Sequence, residues 1–121
     1  MSFDEYVKLF EKKAEPFIDE GDFTTIYDER HGFLQYRVDE KGKLHIGNCC
    51  ADIEWVHKFC EDKAKLYECK EMYMYTCRNP KAFIRRGAGL GWDLHIDIAR
   101  SGYGKNGNFY WCITEVIDFE D

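Results

Sequence analysis

No run of apolar residues in this sequence approaches the length of a membrane span, which excludes a helical membrane protein. The opening, MSFDEYVKLF, has acids where a secretory leader carries positive charge. Together these lead us to expect a cytoplasmic protein with no membrane partner. Six cysteines stand at 49, 50, 60, 69, 77 and 112, yet there is no Cys-x-x-Cys pair and the spacings are irregular. Neither a zinc site nor a disulfide framework is indicated, so we expect reduced thiols, mostly buried, and no metal. Basic charge is also short, with 17 Lys and Arg against 23 Asp and Glu and a net charge of −6. That balance argues against direct nucleic-acid binding, which draws most of its affinity from Lys and Arg on phosphates. Linkers and internal repeats are missing too, leaving one domain over residues 1–121.

Aromatic residues, by contrast, are abundant: 9 Phe, 8 Tyr and 3 Trp make up 17% of the chain. Rings of this size bury much area while keeping a polar edge for a partner, so an aromatic core or binding face is expected. Periodicity then divides the chain. Phe3, Tyr6, Val7, Phe10, Ala14 and Phe17 fall near helical spacing, with Ser2 and Glu5 as a capping box, predicting a helix over 2–18 interrupted before Pro16. After a turn at Glu20 and Gly21, FTTIYDE and FLQYRVD read as strands separated by a turn at Arg30 to Gly32. The run DEKGK is a hairpin loop that pairs FLQYRV with KLHIGNCCA.

Ile53, Val56, Phe59, Cys60, Ala64 and Tyr67 form one apolar stripe, predicting a second helix over 52–68 capped by Asp52. EMYMYTC is the next strand, parallel to KLHIGNCCA through a right-handed crossover. NPKAFIRR opens a short helix with Asn79 as N-cap, Pro80 in the first turn and Gly87 and Gly89 at its end. DLHIDIA and NFYWCITEVID close the chain as a hairpin around the loop SGYGKNGN. Helices on a twisted mixed β-sheet place the protein in the α+β class.

The stretch RNPKAFIRRGAG stands apart because Arg78, Lys81, Arg85 and Arg86 occur there without an acid, leaving −10 on the remainder. A solvated helix face and an anion site both fit this pattern. Its glycines follow the helix rather than precede it, so it is not a phosphate loop. Among the histidines, His95 shares a strand face with Asp93 and Asp97, a spacing open to metal or base chemistry; the plainer reading is a solvated face with Leu94, Ile96 and Ile98 pointing inward. Tyr73 and Tyr75 alternate with Met72 and Met74 and read first as sheet packing. Cys50, next to a helix start, is a weak nucleophile candidate because Asp52 opposes thiolate formation.

The order of elements over residues 22 to 117, with KLHIGNCCA leading into the long helix and Asn79, Ala82, Phe83 and a following glycine on the short one, resembles the GCN5-related N-acetyltransferase (GNAT) fold. The RNPKAF form looks like small members carried by phages and mobile elements. The resemblance implies acetyl transfer from acetyl-CoA to an amine substrate. It places the cofactor at Asn48, Cys49 and Cys50, along Asn79 and Phe83, and with Arg85 and Arg86 as candidate phosphate partners; the catalytic acid and base are unassigned. The family's glycine-bearing turn before the long helix is here NCCADIEW, with Asp52 and Glu54 where phosphate sits, and the short helix lacks the tyrosine many members use as acid. This departure leaves a second reading in place: a non-catalytic GNAT-fold protein that binds a host protein target. Oligomeric state is open.

Overall fold

The computed structural model describes residues 1–19 and 21–119. Glu20, assigned above to a turn, lies outside the described residues; Gly21 beside it has the positive φ of 78° that a turn glycine supplies. The elements run α1 (Phe3–Lys13), β1 (Thr24–Asp28), β2 (Gly32–Val38), β3 (Leu44–Ala51), α2 (Ile53–Leu66), β4 (Glu71–Thr76), α3 (Pro80–Gly89), β5 (Leu94–Tyr103) and β6 (Phe109–Val116). The six strands form one sheet in the order β1-β2-β3-β4-β6-β5, confirming the α+β class with a mixed sheet. Among the described residues only the β3–β4 pairing is parallel.

Alternation along the strands separates two faces. Leu34, Tyr36, Leu44, Ile46 and Met72 meet Val56, Cys60 and Ala64 of α2 in the main core, and the stripe read from the sequence is the buried face of that helix. The opposite face takes α1, whose Phe3 and Phe10 set their edges against Phe33, with Phe17 completing the cluster at ring separations of 5.4 to 6.2 Å. Ser2 and Glu5 form the expected capping box. The helix ends at Lys13, earlier than its apolar spacing suggested; the Glu11 side chain instead accepts from the Phe17 N–H and folds the next segment back.

Gly32 has φ of 121°, and a Cβ there would lie 2.0 Å from the Cys50 carbonyl oxygen, so the β1–β2 turn requires glycine. Gly87 does not stop α3 as expected. It is buried inside the helix, where Leu94 and Trp92 fill the space a side chain would need, and the helix runs to Gly89 with Gly91 turning out at φ 85°. β5 likewise extends through Tyr103, so the hairpin loop is shorter than SGYGKNGN. Ile98, expected to point inward, is 66% exposed, because pairing of β5 with β6 is irregular between Asp97 and Gly102.

Candidate functional site

The site is organised by where β3 and β4 part. Their register holds for only three residue pairs, Leu44 with Met72, His45 with Tyr73 and Ile46 with Met74. Immediately beyond, two residues of β3, Gly47 and Asn48, oppose the single Gln35 of β2, a bulge that bends β3 away from β4. The backbone from Gly47 to Cys50 therefore keeps its ladder to β2 on one side and has no strand partner on the other.

On the α2 side the gap opens into an apolar slot of about 70 Å³, lined by Ile46, Cys49, Ala51, Val56, Met74 and Phe83, among others. On the α1 side it opens into a polar chamber of about 150 Å³ holding Glu15, Gln35, His45, Asn48, Tyr75 and Tyr110. This chamber continues into a groove of about 650 Å³ toward Arg100, Tyr103, Lys105 and Asn106. Apolar residues on one side and polar residues on the other follow from strand alternation across one gap.

The polar side is tightly bonded. The Glu15 carboxylate accepts from the Tyr110 hydroxyl and from Asn106, and that bond raises the Tyr110 phenol above its ordinary range. Asn48 donates to Gln35 and to the Ile18 carbonyl, fixing the bulge to the segment after α1. His45 stacks on Tyr73 at 4.6 Å and accepts from Arg37 through Nδ1, which requires a neutral ring with its proton on Nε2. Burial, reinforced by the Arg37 charge, holds its pKa down at about 4. Tyr73 itself donates to Asp39 at 2.7 Å, and Arg100 lies over its ring while bridging Glu71 and Asp97. Tyr75, one step along, is 40% exposed, with its phenol raised by burial.

The residues singled out from sequence divide. Asn48, Cys49 and Phe83 line the gap, on different sides: Asn48 faces the polar chamber, Cys49 and Phe83 the apolar slot. Burial pushes the Cys49 thiol up to about 11. Cys50 turns to the α1 face opposite Phe33, and burial raises its thiol against the pull of Lys13 and Arg78, so it is no activated nucleophile. Asn79 is exposed and accepts from the Lys81 N–H, the cap the sequence predicted. Arg85 and Arg86 are exposed on α3 and line neither the slot nor the groove.

The expected cap on α2 is corrected here. Asp52 occupies the N-cap position of α2 but makes no side-chain bond to the helix N–H groups; its carboxylate turns to His31 at 2.9 Å, whose ring stacks on Trp55. His95 forms an exposed pair with Asp93 at 3.0 Å, in line with the plainer solvated-face reading, while Asp97 binds Arg100 instead of joining them. The six thiols are free as expected, but Cys77 is exposed just beyond β4 rather than buried in a strand. Glu15, Tyr110 and Asn106 were missed altogether, since residues about 95 positions apart in sequence meet only through the sheet. Tyr75 has the strand parity of a packing residue, and that parity could not reveal that β3 bends away beside it.

No family model and no curated protein matches the chain in sequence. Solved structures do match in shape. A nourseothricin acetyltransferase superposes with TM-score 0.55 and 13% identity over 85% of this chain and 70% of its own. Ard1 from Thermoplasma volcanium gives TM-score 0.54 and 8% identity over 80% of this chain and 71% of its own. The ribosomal-protein-S18-alanine N-acetyltransferase from Escherichia coli gives 0.53 and 10% over 97% and 89%. At such identities the likeness shows the fold alone, and that fold is the GNAT-like acyltransferase fold.

Proposed function

We propose that this chain is an N-acetyltransferase using acetyl-CoA on an amine, a reading carried by the parting of β3 and β4 at Ile46 and Met74, with apolar and polar rooms on its two sides. An extended thioester arm can hydrogen-bond to the unpartnered edge at Gly47 to Cys50, with Phe83 and Cys49 against its apolar part. The same backbone N–H groups stabilise the oxyanion as the thioester carbonyl is attacked. The amine enters from the groove, where the Glu15 carboxylate accepts a proton from it as the C–N bond forms. The C–S bond then breaks, and we assign Tyr75, on the wall of the polar chamber, to protonate the departing thiolate. With Asp52 engaged by His31, no side chain caps the first N–H groups of α2, which supports anion binding there; Arg85 and Arg86 on α3 and Asn79 at its start are the further cofactor contacts we assign.

Calorimetry and thermal shift with acetyl-CoA test this directly. Binding should raise the melting temperature, by about 2.7 kcal/mol of stabilisation at 100 times Kd, and charge reversal at Arg85 and Arg86 should weaken it. Absence of any shift at millimolar cofactor sinks the enzyme reading.

One observation favours a second reading. The slot of about 70 Å³ is far smaller than the roughly 300–1,000 Å³ of ordinary ligand pockets. Acids at Asp52 and Glu54 also stand where phosphate would approach. A GNAT-fold binder, such as a phage-borne inhibitor of a host protein, would keep the sheet without the cofactor and use exposed rings such as Tyr103, stacked edge-on with Phe109. Pull-down of a defined partner with no acetyl-CoA affinity is the outcome that establishes it.

A further inference from the structure

On the α2 face, outside the polar groove and at one wall of the apolar slot, lies a cluster to which neither reading above gives a role. His57 and Glu61 stand one helical turn apart on α2, and Glu115 comes up from β6 beneath them. One ligand-capable atom from each lies within 4.8 Å of the others. His57 Nε2 is 2.7 Å from Glu115 Oε1, with both side chains nearly buried at 13% and 11% exposure. The imidazole is clamped flat against Trp92, ring centroids 3.9 Å apart and planes 6° apart, so its nitrogen is held in one direction.

Among the described residues, neither Glu61 nor Glu115 forms an ion pair with a lysine or arginine, and Glu61 makes no hydrogen bond. Lys58, next to His57 in sequence, is taken by Asp62 at 2.9 Å on the outer side of the helix, and Lys63 lies over the Phe59 ring. Glu61 and Glu115 thus hold carboxylate oxygens within 4.8 Å of each other and of the His57 nitrogen, with Glu115 largely buried, a spacing that one small cation can bridge. A cleft lined by Glu54, His57, Lys58, Glu61, Leu90 and Trp92 joins the cluster to solvent, giving an entry path and room for water ligands.

We propose that His57, Glu61 and Glu115 form a binding site for a single divalent cation of the zinc class. One imidazole nitrogen with two carboxylate oxygens is a donor set for Zn²⁺ or Co²⁺ rather than for Mg²⁺ or Ca²⁺, which favour all-oxygen shells. Stacking on Trp92 fixes the plane of the His57 ring and so the direction of its Nε2. Bound there, the ion ties α2 to β6 across the core and stabilises the native chain by mass action. His57 and Glu115 also line one wall of the apolar slot, so the test reads metal binding, not activity.

The experiment is calorimetric and spectroscopic titration of the chelator-washed full chain with Zn²⁺ and Co²⁺. We expect one ion per chain, a rise in melting temperature, and visible Co²⁺ absorption without the intense near-ultraviolet bands of thiolate ligation. Glu61→Gln, at a half-exposed position where folding should survive, and His57→Gln should each weaken binding at least tenfold, whereas Glu54→Gln on the same cleft should leave it unchanged. Circular dichroism confirms that each variant is folded. No binding at 1 mM Zn²⁺ (roughly the weakest affinity of interest), equal binding by Glu61→Gln, or thiolate bands from cysteine would each overturn the proposal. So would NMR evidence that His57 remains an imidazolium at neutral pH in the presence of Zn²⁺, because a proton would then balance the charge instead.

Discussion

Ile46 and Met74 are the last residues at which the two parallel strands face each other, and the residue after Ile46 already belongs to the bulge. That placement connects a backbone irregularity to chemistry. Bending one strand of a parallel pair exposes a row of backbone groups inside the sheet, a feature otherwise found only at edges. Side chains from both faces can then reach the same short stretch of β3.

Glycine at position 32 is required by both conformation and space. Gly32→Ala must relieve a positive φ of 121° and a Cβ placed 2.0 Å from the Cys50 carbonyl oxygen. A loss on the order of 3 kcal/mol or more is expected in urea unfolding. A loss below about 1 kcal/mol would show that the β1–β2 turn relaxes freely.

Stability should fall as the solution is acidified below pH 6.5. His45 is held near pKa 4 in the folded chain by burial and Arg37, against an ordinary value of 6.5, so the unfolded chain takes up its proton first. The neutral ring's contribution is complete above pH 6.5 and is lost progressively down to about pH 4. Allowing for partial solvent screening, about 1–2 kcal/mol should disappear across that window. His45→Gln should flatten this part of the profile; an unchanged slope in the variant would refute the assignment.

Thiol reactivity should separate the cysteines cleanly. Cys77 is exposed, whereas Cys49 is half-buried and Cys60 fully buried, their thiols pushed up to about 11 and 12. With iodoacetamide at pH 8, mass spectrometry should find Cys77 modified first and Cys49 and Cys60 only after unfolding. Early modification of Cys60 would contradict the packing of α2 on β3.

Tyr73→Phe removes the hydroxyl that donates to Asp39, itself the acceptor for the Lys41 and Lys43 N–H groups in the β2–β3 loop. About 1–2 kcal/mol should be lost, with faster amide exchange in that loop. Tyr75→Phe should cost little stability, since that residue is 40% exposed, and if the chain acetylates amines it should lower kcat by about 10²-fold or more. An equal fall in stability for both variants would argue that Tyr75 is packing alone.

The sequence by itself determined the helices, the strand order along the chain, the Ser2–Glu5 and Asn79 caps and the core stripe of α2, because each rests on contacts between residues a few positions apart. It also pointed to the stretch from Asn48 to Cys50 as the place of interest. Only tertiary structure decided what that stretch faces. Asp52 was a reasonable cap until His31, 21 residues earlier, drew its carboxylate away, and Arg100 separated Asp97 from His95 by the same kind of competition. Gly87 looked like a helix stop until Leu94 and Trp92 packed against it inside the helix. Glu15 with Tyr110, and His57 with Glu115, lie 95 and 58 residues apart. Such pairings depend on which strands become neighbours, and the placing of β6 between β4 and β5 is fixed by the global packing of the sheet, not by any local pattern.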